Sequence, residues 1–178
     1  MKKTIFTYIS VLLFVSFLMT PFTHAENTRA TYPNSVSVEI YGKGLLWGLY
    51  FDKVLSDHIA VGIGLGRTGT QTSGGVVTET NASILPIYMN YYFSQNQGSI
   101  FLTGGANLVM NYDGVKDLKS TLGQYPFTQN MYPVLGFGYE HRSDLGFLFR
   151  ITAYGFYTNS ADDGPVKPWL GFHFGYSF

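Results

Sequence analysis

Cysteine is absent from this sequence. An exported form of the chain would have no disulfide to supplement its core, although small secreted domains commonly depend on them. Charge is scarce as well. Lys, Arg, Asp and Glu make up 12% of the residues, about half the usual fraction. Beyond the first two dozen positions no apolar run reaches the ~18 residues that a membrane-spanning helix needs. No phosphate-binding loop, zinc constellation or basic nucleic-acid stripe is visible, so neither a metal nor a cofactor nor a nucleic-acid partner is expected.

What is present begins at the N-terminus. Lys2 and Lys3 precede a mostly apolar stretch from Ile5 to Met19, and Thr23-His24-Ala25 ends on a small residue. This pattern predicts a secretory signal peptide over residues 1–25. Removing its two lysines leaves nine basic residues against eleven acidic ones, a net of −2. Residues 26–34 are expected to form a short periplasmic N-terminal segment, and residues 35–178 a single domain.

That domain is rich in aromatics, at 17%, and in glycine, with 21 residues. Its residues alternate with the period of a β-strand. In the closing stretch, WLGFHFGYSF, the large residues Leu170, Phe172, Phe174, Tyr176 and Phe178 oppose Gly171, His173, Gly175 and Ser177. In the first, Val36, Val38 and Ile40 oppose Ser37, Glu39 and Tyr41, before a tight Gly42-Lys43-Gly44 turn. The second sets Leu45, Trp47, Leu49 and Phe51 against Leu46, Gly48, Tyr50 and Asp52. Similar runs occupy about 59–66, 84–93, 99–111, 131–140 and 145–157, which makes eight strands. Pro86 predicts a local irregularity in the fourth.

The connections alternate in length, except that the first external one, Gly42 to Gly44, is unusually short. LSDH, SQNQG and HRSD are short, whereas 67–81, 112–127 and 159–167 are longer and rich in Thr, Ser, Gly or Asp. An apolar outer face, a small or polar inner face, an even strand count and this loop asymmetry predict an all-β, eight-stranded antiparallel up-and-down transmembrane β-barrel. A soluble barrel would reverse the two faces. Short periplasmic turns and long external loops would place both termini in the periplasm of a bacterial outer membrane.

The segment from Tyr32 through Gly66 resembles the opening of small bacterial outer-membrane β-barrel proteins, and PVLGFGYEHRSDLGFLFRITAYGF with KPWLGFHFGYSF resembles their ending. The resemblance implies that Phe174, Tyr176 and Phe178 form the C-terminal signal read by the barrel-assembly machinery. It also implies contact with outer-membrane lipids and lipopolysaccharide, and a monomer. It implies no shared activity, because small barrels host different tasks.

Three sites suggest chemistry. His141 and Ser143 resemble the His and Ser two apart in outer-membrane lipid A deacylases, where a base beside a hydroxyl would serve acyl hydrolysis. Asp144 stands where that pattern has Asn, and the strand count puts the triplet in a periplasmic turn. Second, Glu39, Glu140, Arg150 and His173 fall on the inward face. Buried charges need partners, so these four predict a polar network in the lumen, with Arg150 on Glu140 and Glu39 reaching across to it. Tyr50, Tyr88, Tyr92 and Tyr154 would fill the remaining space. Third, Asp162-Asp163 with Asp113 and Asp117 could hold calcium, but their spacing matches no compact calcium loop. The leading expectation is a non-enzymatic barrel with a plugged lumen and surface-exposed loops. The alternatives are a deacylase-like enzyme, and a conduit for small hydrophobic molecules with a gap in the wall at Pro86 or Pro133.

Overall fold

The computed structural model describes residues 28–67, 71–73, 76–78, 83–110, 131–157 and 166–178. The signal-peptide segment, most of the three long loops and the aspartates of the third site lie outside these residues. A one-turn helix, α1 (Thr28–Thr31), precedes β1 (Asn34–Gly42), β2 (Leu45–Ser56) and β3 (Ile59–Arg67). Then come β4 (Gln71–Ser73), β5 (Val76–Thr78), β6 (Ser83–Tyr92), β7 (Gly98–Met110), β8 (Met131–Arg142), β9 (Phe147–Tyr157) and β10 (Val166–Ser177).

Eight of these strands close into an antiparallel up-and-down barrel in the order β1-β10-β9-β8-β7-β6-β3-β2. Closure leaves no unpaired sheet edge. The seam is completed by the termini, where Asn34 N donates to Phe178 O at 3.0 Å and Phe178 N to Asn34 O at 2.8 Å. The strands β4 and β5 form a separate two-stranded ribbon. Residues 67–81, expected to be loop throughout, therefore carry a small hairpin. Val76 and Val77 supply the β-branched residues that Thr, Ser and Gly around them obscured.

The wall alternates as expected. Val38, Leu49, Phe51, Ile63, Ile87, Leu102, Phe137, Ile151 and Phe174 stand exposed on the outside, whereas Tyr50, Asp52, Tyr88, Asn90, Thr103, Arg150 and His173 are buried inside. We call the end carrying the termini and the turns after β2, β6 and β8 the terminal end. The opposite end is the loop end.

Three local expectations change. Around the first turn the alternation puts Leu45 outward and Tyr41 and Leu46 inward, but Leu45 is buried and Tyr41 and Leu46 are exposed. Tyr41 (φ 55°) and Leu45 (φ 72°) both adopt left-handed conformations, which tips the β1–β2 turn into the barrel mouth. The turn fits because Gly44 meets Gly66, where even a Cβ would lie 2.4 Å from the Gly44 Cα. Next, HRSD is not the turn. Strand β8 continues through Arg142, and the turn occupies 143–146, so β9 begins at Phe147 rather than Leu145. Its polarity reads as turn because Arg142 is a buried inward cation, not a solvated one. Finally, β1 starts at Asn34, within the expected linker.

The irregularity expected at Pro86 is a break in one ladder. Residues 59–63 of β3 pair with β6 in register, and pairing resumes at Gly66↔Ile84, so Leu85 and Pro86 are skipped on that side. On the other side Pro86 stays paired with Asn107. A proline lacks the N–H that one of its two neighbours would require.

Candidate functional site

The inner face holds two clusters. At the loop end, Glu39 on β1 and His173 on β10 are direct register partners. Glu39 Oε1 lies 2.7 Å from His173 Nε2 and accepts from Tyr154 Oη at 2.7 Å. Its Oε2 accepts from Lys43 N at 2.9 Å. Lys43 enters from the inward-tipped turn and is 2% exposed. Its Nζ donates to Tyr154 Oη at 3.0 Å and sits 3.9 Å from the Tyr88 ring centroid. A cation over a desolvated aromatic face is held by the ring quadrupole. Asn107 Nδ2 donates to Lys43 O at 2.8 Å and ties the turn to β7. Burial pushes the Lys43 ammonium below its ordinary range, against the raising pull of Glu39.

Toward the terminal end, Glu140 gathers three guanidinium groups. Arg150 Nε lies 2.7 Å from Oε2, Arg29 Nε 3.1 Å from Oε1 and Arg142 Nε 3.4 Å from Oε1. Tyr92 Oη also donates to Oε2 at 2.7 Å. Arg150 reaches a second carboxylate, Asp52, at 3.4 Å. Arg29 comes from α1, outside the barrel strands. Its Nη1 donates to Ser94 O at 3.0 Å and Asn96 O at 2.7 Å, and its guanidinium lies 4.3 Å from the Tyr92 ring centroid. Arg142 Nη1 donates to Tyr32 O at 2.8 Å, Tyr32 Oη to Asp144 O at 3.1 Å and Val54 N to Pro33 O at 2.7 Å, so the segment before β1 is held at several points.

The four residues singled out from the alternation thus lie inside, but in two groups rather than one. Glu140 meets Arg150, its register partner on β9. Glu39 does not reach Arg150; it serves His173, Tyr154 and the Lys43 backbone, and Asp52 takes the second place on Arg150. Asp52 also lies on the inward face by alternation, but its partner is visible only in the fold. Arg29 and Lys43 carried no periodic signal, and Arg142, although two residues on from Glu140, reads as turn.

Ser37 Oγ lies 3.3 Å from His173 Nδ1. Together with Glu39 on Nε2, this sets a hydroxyl, an imidazole and a carboxylate in line, the components of acyl-transfer catalysis. A nucleophile must also meet its substrate, and Ser37, Glu39 and His173 are each at most 1% exposed. The arrangement is an interior hydrogen-bond chain. His141 and Ser143 are not brought into a working pair. Ser143 Oγ accepts from Phe147 N at 3.0 Å and so closes the β8–β9 turn. Behind the ladder break at Pro86, Ile84 and Tyr88 are buried. Pro133 faces outward and pairs with Ala106. Phe174, Tyr176 and Phe178 are half exposed on the outer wall.

Two solved barrels share this fold. The N-terminal β-barrel domain of Pseudomonas aeruginosa OprF aligns with a TM-score of 0.52 at 14% identity, covering 83% of this chain and 99% of that one. The Yersinia pestis outer membrane protein Ail, determined in a phospholipid bilayer nanodisc, aligns with a TM-score of 0.50 at 14% identity over the same shares. No family model and no curated protein matches the sequence.

Proposed function

We propose that this chain is a small, non-catalytic outer-membrane β-barrel whose lumen is plugged by its own polar side chains and whose long loops face the cell surface. The observation that carries this reading is the opposed chemistry of the two faces. The outer wall exposes Leu49, Ile63, Ile87, Leu102, Leu135, Phe137 and Phe174, and the interior buries Glu39, Asp52, Glu140, Arg142, Arg150 and His173. In water that wall would be a large apolar surface of the kind that drives association. In lipid it is the ordinary exterior of a barrel. Tyr91, Phe93, Phe147 and Tyr176 toward the terminal end, and Tyr41, Trp47 and Tyr157 toward the loop end, suit two interfacial aromatic girdles. The two aligned barrels, one described as an outer membrane protein, support the same placement.

In this reading residues 1–25 are a signal peptide and both termini lie in the periplasm. Phe174, Tyr176 and Phe178 present the assembly signal. The partners are outer-membrane lipids, lipopolysaccharide and the assembly machinery, and the barrel acts as a monomer in envelope integrity or surface binding. The test is topological. A protease site at Ser73-Gly74 should be cut from outside intact cells, and one at Gln95-Asn96 should be protected. The reverse pattern overturns the orientation. Deleting Phe178 should lower the yield of heat-modifiable protein in the outer membrane, and an unchanged yield contradicts the assembly role.

A further inference from the structure

The outer wall is not uniformly filled. A depression of about 610 Å³ crosses β2, β3, β6 and β7, bordered by Phe51, Val61, Ile63, Ile87, Met89 and Gly104. Lys53 stands at one end of it. Successive register partners connect the two ends: Lys53↔Val61, Val61↔Met89 and Met89↔Gly104. Three inter-strand spacings make this path about 14 Å long. Lys53 lies near the terminal end of β2, whereas Gly104 lies near the middle of β7. The depression therefore climbs from the terminal rim toward the middle of the wall. Among the described residues Lys53 has no ion-pair partner.

Apolarity alone cannot make one patch of this wall prefer a lipid, because lipid tails are as apolar as the side chains they touch. Selectivity needs shape and a headgroup contact. This place offers both: an open apolar depression along which a chain can lie, and a cation where the headgroup of the adjacent leaflet lies. We infer that this recess binds one glycerophospholipid of the periplasm-facing leaflet, with its phosphate on Lys53 and an acyl chain lying toward Gly104. The inference rests on the membrane placement and orientation proposed above.

Gly104 provides a clean variant. A Cβ there would meet only Leu135 Cδ2, at 3.3 Å, the far end of a flexible side chain on the same outer wall. Gly104→Leu should fill the recess without disturbing the interior. Native mass spectrometry of the folded barrel, titrated with phosphatidylglycerol, reads the binding. The wild type should retain one tightly held lipid. Gly104→Leu and Lys53→Gln should each weaken it about fivefold or more, the scale of one lysine at a lipid surface. Diacylglycerol with the same chains should bind the wild type no better than Lys53→Gln binds phosphatidylglycerol. Ala153→Leu, on the outer wall of β9, should change nothing. Equal lipid retention by the wild type and both recess variants overturns the inference, provided the proteins insert into vesicles. A wild type that folds but does not insert overturns the membrane placement instead.

Discussion

The two ends of the lumen each receive a cation from outside the regular strand alternation, but they hold it differently. Lys43 belongs to a turn that is covalently continuous with β1 and β2, and it is seated among aromatic rings and hydroxyls with one carboxylate, Glu39. Arg29 belongs to a segment joined covalently to β1 alone, and it joins Arg142 and Arg150 around Glu140. At the loop end the neutral donors are the larger part of the network. At the terminal end three guanidinium groups share one carboxylate, with Asp52 as a second anion for Arg150 alone. The loop end should therefore respond to loss of a hydrogen bond, and the terminal end to loss of charge.

The largest effect is expected at Glu140. Glu140→Gln leaves Arg29, Arg142 and Arg150 buried around a neutral amide. Removing one partner of a buried ion pair typically costs about 3–5 kcal/mol, and here three cations lose it together. Urea unfolding in lipid vesicles measures the cost. Combining it with Arg150→Met should recover only part of the loss, because Arg29 and Arg142 still face position 140. Full recovery would mean that those two arginines are not held by Glu140.

Tyr154→Phe should cost less, about 1–3 kcal/mol, the range for leaving buried groups unsatisfied. Tyr154 Oη donates to Glu39 and accepts from Lys43, so both lose a partner. If this change costs as much as Glu140→Gln, the two ends do not differ in kind.

Arg29→Met should cost least, about 1.5 kcal/mol, the low end for a bond to a charged group, because Glu140 keeps Arg142, Arg150 and Tyr92. Its clearer sign is local. The segment around α1 should become cleavable by protease while the barrel stays heat-modifiable. Unchanged protection would mean that the bonds at Tyr32 and Pro33 suffice to hold the segment.

The alternation of two made the barrel legible, because side-chain direction in a strand depends only on local parity. It places Glu39, Glu140, Arg150 and His173 on the inner face without knowledge of the fold. Which of them meet is another matter. Hairpin partners such as Glu140 and Arg150 follow from adjacency, but a contact across the lumen, such as Arg150 to Asp52, depends on barrel shear and strand tilt. Lys43 was illegible because two non-glycine residues with positive φ redirect its turn. Arg29 was illegible because α1 has no strand periodicity to read. Arg142 was hidden by its neighbours, since His, Ser and Asp around an Arg look the same in a solvated turn as at a buried strand end.

In a membrane barrel the outer wall faces lipid while the short turns face water. The absence of cysteine makes this directly measurable. A single spin label at Phe137→Cys, on the middle of outward-facing β8, and another at Gln95→Cys in the turn after β6 can be compared in vesicles. Relaxation by oxygen reports lipid, and relaxation by a water-soluble nickel chelate reports solvent. The label at 137 should be open to oxygen and closed to nickel, and the label at 95 open to nickel. A label at 137 that nickel reaches as readily as the one at 95, in correctly folded protein, would contradict the membrane barrel.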